Sequence, residues 1–266
     1  MTRLGRRKRN RDPPRYAWFE RAMRGASRGT DVASGAGENR EWVRDLNEEG
    51  IEPHPGPRYI TKNVNGISNP AKARKFIASI TTEHRKEPIT ALFIQEHHIK
   101  TGNAKTLRDA AHEARWLLAI ATIHTDTTKG GTAILVPYDQ IEAREGESRD
   151  DALRRVRESI RYRPQARAVA LSTMIGGKQY RLISVYAPAQ PRERPAFFKG
   201  MKSFVHKNSI VGIDANCVPD VTIDVKQANP NGAAYRNEGA DEWEEIVTSK
   251  DLIDVARESL GDEPYY

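Results

Sequence analysis

The sequence predicts a layered domain of the α/β or α+β class, and three observations predict it. From Arg58 onward, short β-rich runs alternate with amphipathic helical segments. Two of the β runs are joined by Gly176-Gly177, the composition of a tight hairpin turn. The 266 residues, 38% of them hydrophobic, suffice for one sizeable core but not comfortably for two, which leaves a domain and a tail.

The tail comes first. From Thr2 to about Gly56 the chain is rich in Arg, Gly, Ser and Pro, and its apolar residues are too sparse to offset the entropy of ordering. Residues 1–57 are therefore expected to be a disordered leader, with one briefly helical stretch around Glu41 to Leu46. The string GIEPHPGP, Gly50 to Pro57, ends it, since three prolines and a glycine in five residues exclude regular structure. Beyond it the β runs are Tyr59 to Lys62, Ile89 to Ile94, Leu117 to Ile123, Thr132 to Val136, Arg167 to Met174, Gln179 to Val185 and Ile210 to Ile213. Helices are expected over Ala71 to Glu83, with Asn69 as N-cap and Pro70 at the first position, and over Ala104 to Ala114 and Arg194 to Lys207. The charged segment Arg144 to Arg163, with helical spacing over Asp150 to Ile160, reads as a surface insertion.

Charge is placed unevenly. Residues 1 to 28 carry ten Lys/Arg against two acids, whereas the remaining 33 Lys/Arg and 34 Asp/Glu nearly cancel, so the net +7 belongs to the leader. Blocks such as Arg6, Arg7, Lys8 and Arg9 attract polyanions or act as nuclear-import signals, or are simply solvated. No apolar run approaches a membrane span and no secretory apolar region follows Met1. The expectation is a soluble intracellular protein, nuclear in a eukaryote, with DNA as partner and its oligomeric state open. A single cysteine, Cys217, excludes a disulfide framework and a Cys-based zinc site within the chain.

The chemistry lies in where the polar residues fall. Asn63 and Asn65, Glu96, Tyr186, and Asp214 with Asn216 each come directly after a β-rich run, and strand ends can converge on one rim. Their types suit phosphate ester cleavage. A hard cation takes one or two carboxylates with amides, waters and phosphate oxygens. A second carboxylate can deprotonate the attacking water, while amides and a phenol hydrogen-bond the phosphate. Singly, each residue is equally at home in an Asx turn, at a solvated strand end or in a core.

The ordered strings go further: NVNGI (Asn63 to Ile67), FIQE (Phe93 to Glu96), GGTAILV (Gly130 to Val136), SVYAP (Ser184 to Pro188), VGIDANCVPD (Val211 to Asp220) and DLIDVAR (Asp251 to Arg257). Through them, over roughly Arg58 to Tyr266, the chain resembles the endonuclease/exonuclease/phosphatase superfamily. The resemblance implies a four-layered sandwich of two packed β-sheets flanked by helices and a Mg²⁺- or Mn²⁺-dependent phosphodiesterase site. It would make Glu96 the metal carboxylate, with Asn63 and Asn65 beside metal and phosphate. Tyr186 would contact the phosphate, Asp214 would activate water, and Asn216 would orient both. Where the family has Gly-Asp-Phe-Asn, this chain has Ile213 in place of the Gly and Ala215 in place of the aromatic. His97 and His98 follow the glutamate and invite a zinc reading, but no matching Cys or His cluster accompanies them.

The family's closing Ser-Asp-His does not occur in the sequence, so by this resemblance the domain is expected to lack its last segment and to be weakened. Three strings favour the retrotransposon endonucleases within the family: Asn-Val-Asn-Gly at Asn63, Asp-Ala-Asn-Cys-Val-Pro-Asp at Asp214, and GIEPHPGP, which is similar to the 2A-like ribosome-skipping peptides. The alternatives are an inactive stub that retains nucleic-acid affinity and a phosphatase of the same superfamily.

Overall fold

Two four-stranded sheets, each built around one parallel strand pair and two antiparallel pairings, form the centre of the molecule in this computed structural model. It describes residues 56–123, 130–224 and 236–260. The helical expectation at Glu41 to Leu46, the disordered leader and most of GIEPHPGP lie outside the described residues. The layered unit spans Arg58–Tyr266.

The first sheet has the order β1-β2-β4-β3, with β1 Tyr59–Asn63, β2 Ala91–Gln95, β3 Trp116–Ala121 and β4 Thr132–Pro137. Helix α1, Pro70–Lys86, is the crossover that makes β1 and β2 parallel. Asn69 caps it as expected, its Oδ1 accepting from the backbone N–H of Ala71 at 2.8 Å. The basic residues His84, Arg85 and Lys86 fall in its last turn, where the helix dipole favours them. Ala73, Ile77 and Ile80 at helical spacing bury its inner face. Helix α2, Ala104–Glu113, lies beside it, and together they cover Leu92, Ile94, Ala133 and Leu135 on one face of the sheet.

The second sheet has the order β5-β6-β7-β8: Arg161–Tyr162, Ala168–Ile175, Lys178–Tyr186 and Ser209–Asp214. Its hairpin turns at Gly176 and Gly177, both at positive φ, which glycine alone adopts without strain. Helix α4, Arg194–Met201, crosses from β7 to β8 and makes that pair parallel. It is shorter than the expected Arg194 to Lys207. With α6, Ala240–Ser249, it covers Ala168, Ala170, Ile183 and Val185 through Phe198, Met201 and Ile246. The short helices α5, Val221–Asp224, and α7, Val255–Leu260, are tied by an ion pair between Arg257 and the buried Asp224.

One expectation is corrected. The segment Arg144 to Arg163 is not a surface insertion: helix α3, Arg149–Glu158, buries Ala152, Leu153 and Val156, and Arg161–Tyr162 pairs with β6 as an edge strand. Its many charges hid the apolar residues at spacings one and three, which supply the buried stripe. Seven arginines and acids in ten residues read as solvent, although only three positions need to face inward.

The two sheets meet through the residues that point away from the helices. Phe93 on β2 packs against Gly212 on β8, where a Cβ would fall inside the Phe93 side chain. Beyond it, buried Gln95 donates to Ser184 Oγ at 3.3 Å and to the Gly212 carbonyl at 3.2 Å, and Ser184 donates to the Ile94 carbonyl at 2.9 Å. These bonds satisfy polar groups that would otherwise be costly in the interior, and they fix the alignment of one sheet on the other. Gly212→Ala is accordingly expected to cost about 1–3 kcal/mol through overpacking. A fall of several degrees in the thermal unfolding midpoint checks it; an unchanged midpoint would contradict so close an approach.

Candidate active site

A parallel strand pair brings two carboxyl ends side by side. In the first sheet Asn63, last in β1, pairs with Gln95, last in β2, and Glu96 follows. In the second, Tyr186 and Asp214, last in β7 and β8, pair with each other. Because the sheets are stapled at Gln95, Ser184 and Gly212, these four ends converge, as the carboxyl edges of parallel strands do in many layered folds.

Asn63 joins the sheets. Its Nδ2 donates to Glu96 Oε1 at 2.8 Å and to Asp214 Oδ2 at 3.0 Å, so one amide bridges two carboxylates, the second of them 151 positions away from it in sequence. Tyr186 hydrogen-bonds Glu96 as well, and His98 Nε2 lies 3.3 Å from Glu96 Oε2. Burial works to raise the Glu96 pKa, but the bonds from Asn63, Tyr186 and His98 prevail and hold it below the usual value. The Tyr186 phenol is pushed up to about 12, by burial first and then by the neighbouring Glu96, so it stays a hydrogen-bond donor at any working pH.

Asn216 and Asn65 enter differently. Asn216 donates its backbone N–H to Asp214 Oδ1 at 3.3 Å and its Nδ2 to the Ala187 carbonyl at 2.9 Å. Asn65 donates its backbone N–H to Asn63 Oδ1 at 3.0 Å, an Asx turn that orients the bridging amide. All six sequence-derived residues therefore lie in one connected cluster, with Asn65 joined through its backbone.

The backbone here is strained. Asn65, Glu96, His98 and Asn216 have φ of 42°, 54°, 56° and 51°, a region that costs non-glycine residues on the order of 1 kcal/mol or more each. Neighbouring loops hold them there: Gly66 N–H donates to the Glu96 carbonyl, Ile67 N–H to that of His97, and His98 N–H to that of Gly130. His97 is an anchor and not a member of the cluster. It is fully buried against Gly131, with its Nε2 3.1 Å from the Ala121 carbonyl and its Nδ1 accepting from Ile99, and burial lowers its pKa to about 4. The adjacent histidines thus have opposite roles, a difference that their identical chemistry concealed in the sequence.

Two participants escaped the sequence reading. The sequence offers His98 as a zinc ligand, with no sign of the contact that it makes with Glu96. Arg167 precedes β6 with no motif to mark it; its guanidinium lies 5.4 Å from the centroid of the Tyr186 ring and its carbonyl accepts from Tyr186 N–H. The departure at Ile213 is absorbed, because Ile213 and Ala215 pack with the α4 and α6 core while Gly212 makes the close inter-sheet approach.

The sequence matches no protein-family profile and no curated protein. Solved structures are similar at low identity. An AP endonuclease from Leishmania major is 12% identical with a TM-score of 0.57, over 91% of this chain and 81% of that one. A 3′ phosphatase from Neisseria, bound to a product DNA hairpin, is 16% identical with a TM-score of 0.53, over 78% and 76%. The chain has the endonuclease/exonuclease/phosphatase fold. The endonuclease domain of TRAS1, a telomere-specific non-LTR retrotransposon, is also similar, at 16% identity over 74% and 73%, with a looser TM-score of 0.44.

In this fold the donor set suits a hard divalent cation better than zinc. Among the described residues no three His, Cys, Asp or Glu side chains cluster as a metal group. Mg²⁺ and Mn²⁺ need fewer protein ligands, since waters and a substrate phosphate complete their shells. Glu96 is partly exposed and carries lone pairs beyond the three that its donors occupy. Among the described residues no helix is long and apolar enough to cross a membrane.

Proposed function

We propose that the chain is a metal-dependent phosphodiesterase acting on DNA, the endonuclease domain of a retroelement polyprotein. The observation that carries the reading is the cluster in which Asn63 ties Glu96 to Asp214 with Tyr186 alongside. Two carboxylates in one polar cluster offer what phosphate ester cleavage needs, a metal ligand and a base. The DNA substrate draws support from the names of the similar structures, an AP endonuclease and a phosphatase bound to product DNA. The retroelement assignment rests on the strings at Asn63 and Asp214.

Glu96, with Asn65 close by, would hold Mg²⁺ or Mn²⁺, which when bound would neutralise charge on the scissile phosphate. Asp214 takes the proton of the attacking water. Its orientation is set by the Asn63 amide on Oδ2 and the Asn216 N–H on Oδ1. Tyr186, kept protonated, turns its single O–H from Glu96 to a non-bridging phosphate oxygen, and the second Nδ2 hydrogen of Asn216 can donate there too.

The expected result is nicking of supercoiled plasmid that depends on Mg²⁺ or Mn²⁺ and stops in EDTA, because the cation would neutralise charge that develops on the phosphate in the transition state. No nicking with either cation would refute the enzyme reading.

A further inference from the structure

Three arginines gather on the outer side of the second sheet without a counter-charge. Arg163 and Arg181 both lie over the Phe204 ring, their guanidinium carbons 5.1 and 4.8 Å from its centroid. Arg161, exposed on the edge strand β5, stands close enough to act on Arg181 electrostatically. Among the described residues no carboxylate forms an ion pair with any of the three.

Their hydrogen bonds are also incomplete. Arg163 uses Nη2 on the Gly200 carbonyl and Ser203 Oγ, and Arg161 uses Nη1 on the Glu158 and Ile160 carbonyls. The Nε atoms of Arg163 and Arg181 are buried with no partner. Burial, and after it the charges of Arg161 and Arg163, hold the Arg181 pKa below its ordinary value. A folded protein keeps such like-charge contacts at a cost, and a bound anion removes it.

We propose that Arg161, Arg163 and Arg181 form a subsite for the nucleic-acid backbone, which grips phosphates flanking the scissile one. The aromatic ring covers the guanidinium faces and fixes their planes, so the remaining N–H groups present the edge geometry that suits phosphate oxygens. The location fits a flanking contact. Arg163 N–H donates to the Ala168 carbonyl, and Ala168 pairs with Val185, next to Tyr186. Arg181 and Tyr186 lie five residues apart on β7, roughly 16 Å along the strand, which is about five nucleotides of backbone.

This subsite rests on the DNA reading, and its test is separable from the nicking assay. The full chain is titrated with salt while bound to a short fluorescein-labelled duplex without divalent cation. The double variant Arg161→Gln/Arg181→Gln is expected to flatten the slope of log K against log salt by about 1–2, since each phosphate contact contributes about 0.9. The control Arg74→Gln/Arg108→Gln, which removes two exposed arginines from α1 and α2, is expected to leave the slope unchanged. Arg161→Gln alone, which loses only bonds to local carbonyls, keeps the test clear of misfolding and should flatten the slope by about half as much. An unchanged slope in the arginine variants, as an acidic protein partner would also give, overturns the subsite. So does an equal drop in the control, which would reduce the effect to net charge. Nicking that fails while the slope still falls would refute the enzyme and leave the subsite standing.

Discussion

Glu96→Ala is expected to lower plasmid nicking on the order of 10²–10³-fold. Three donors converge on this carboxylate, from Asn63, Tyr186 and His98, and its backbone is held at a strained φ of 54°. Removing it deletes the carboxylate for the cation and leaves the Asn63 amide on Asp214 only. The effect should fall on kcat, because charge on the transferring phosphoryl group grows only in the transition state. A structural role would read differently: alanine is small, Glu96 is partly exposed, and the thermal midpoint should move by a few degrees at most. Glu96→Ala nicking at the unaltered rate would remove Glu96 from the site.

The grouping of the candidate residues was more legible in the sequence than the packing that brings them together. Strands β2, β7 and β8 end their apolar runs, and β1 its β-rich one, at or just before a polar residue, and those residues share one edge in the structure. What made the edges meet was not visible. The inter-sheet staple needs a glycine, Gly212, one residue before the position where the family's glycine was sought, and a buried Gln95 whose only signal was its place before Glu96. Helix α3 was missed as a packed element because charge outweighed three buried residues in ten. Helices α6 and α7 were not anticipated at all: α6 buries only Ile246 fully, so its apolar stripe is thin. Arg167 and the arginines at Phe204 lie beyond pattern reading, since nothing in spacing tells which arginine will find an aromatic ring instead of a carboxylate.

The bridging amide gives the sharpest test of where a cation would bind. Asn63 donates one hydrogen bond to each of two carboxylates, so Asn63→Asp replaces two donors with a third negative charge. Asn63 is exposed and water screens the repulsion, so the expected loss is about 1–3 kcal/mol and not more. In a unit of this size that lowers the thermal midpoint by roughly 2–12 °C in EDTA, with the loss shrinking as salt rises. Mg²⁺ should then recover more stability in the variant than in the parent chain. The added carboxylate tightens binding to the folded state, and binding to that state alone stabilises it by RT ln(1 + [L]/Kd), about 2.7 kcal/mol at a hundredfold excess over Kd. Asn63→Ala separates the two contributions, since it loses the same hydrogen bonds without adding charge; its midpoint should fall less and Mg²⁺ should give it no extra recovery. If Mg²⁺ shifted the aspartate and alanine variants alike, the cation would not be bound beside residue 63, and the metal role of the neighbouring Glu96 would have to be abandoned even if nicking were observed.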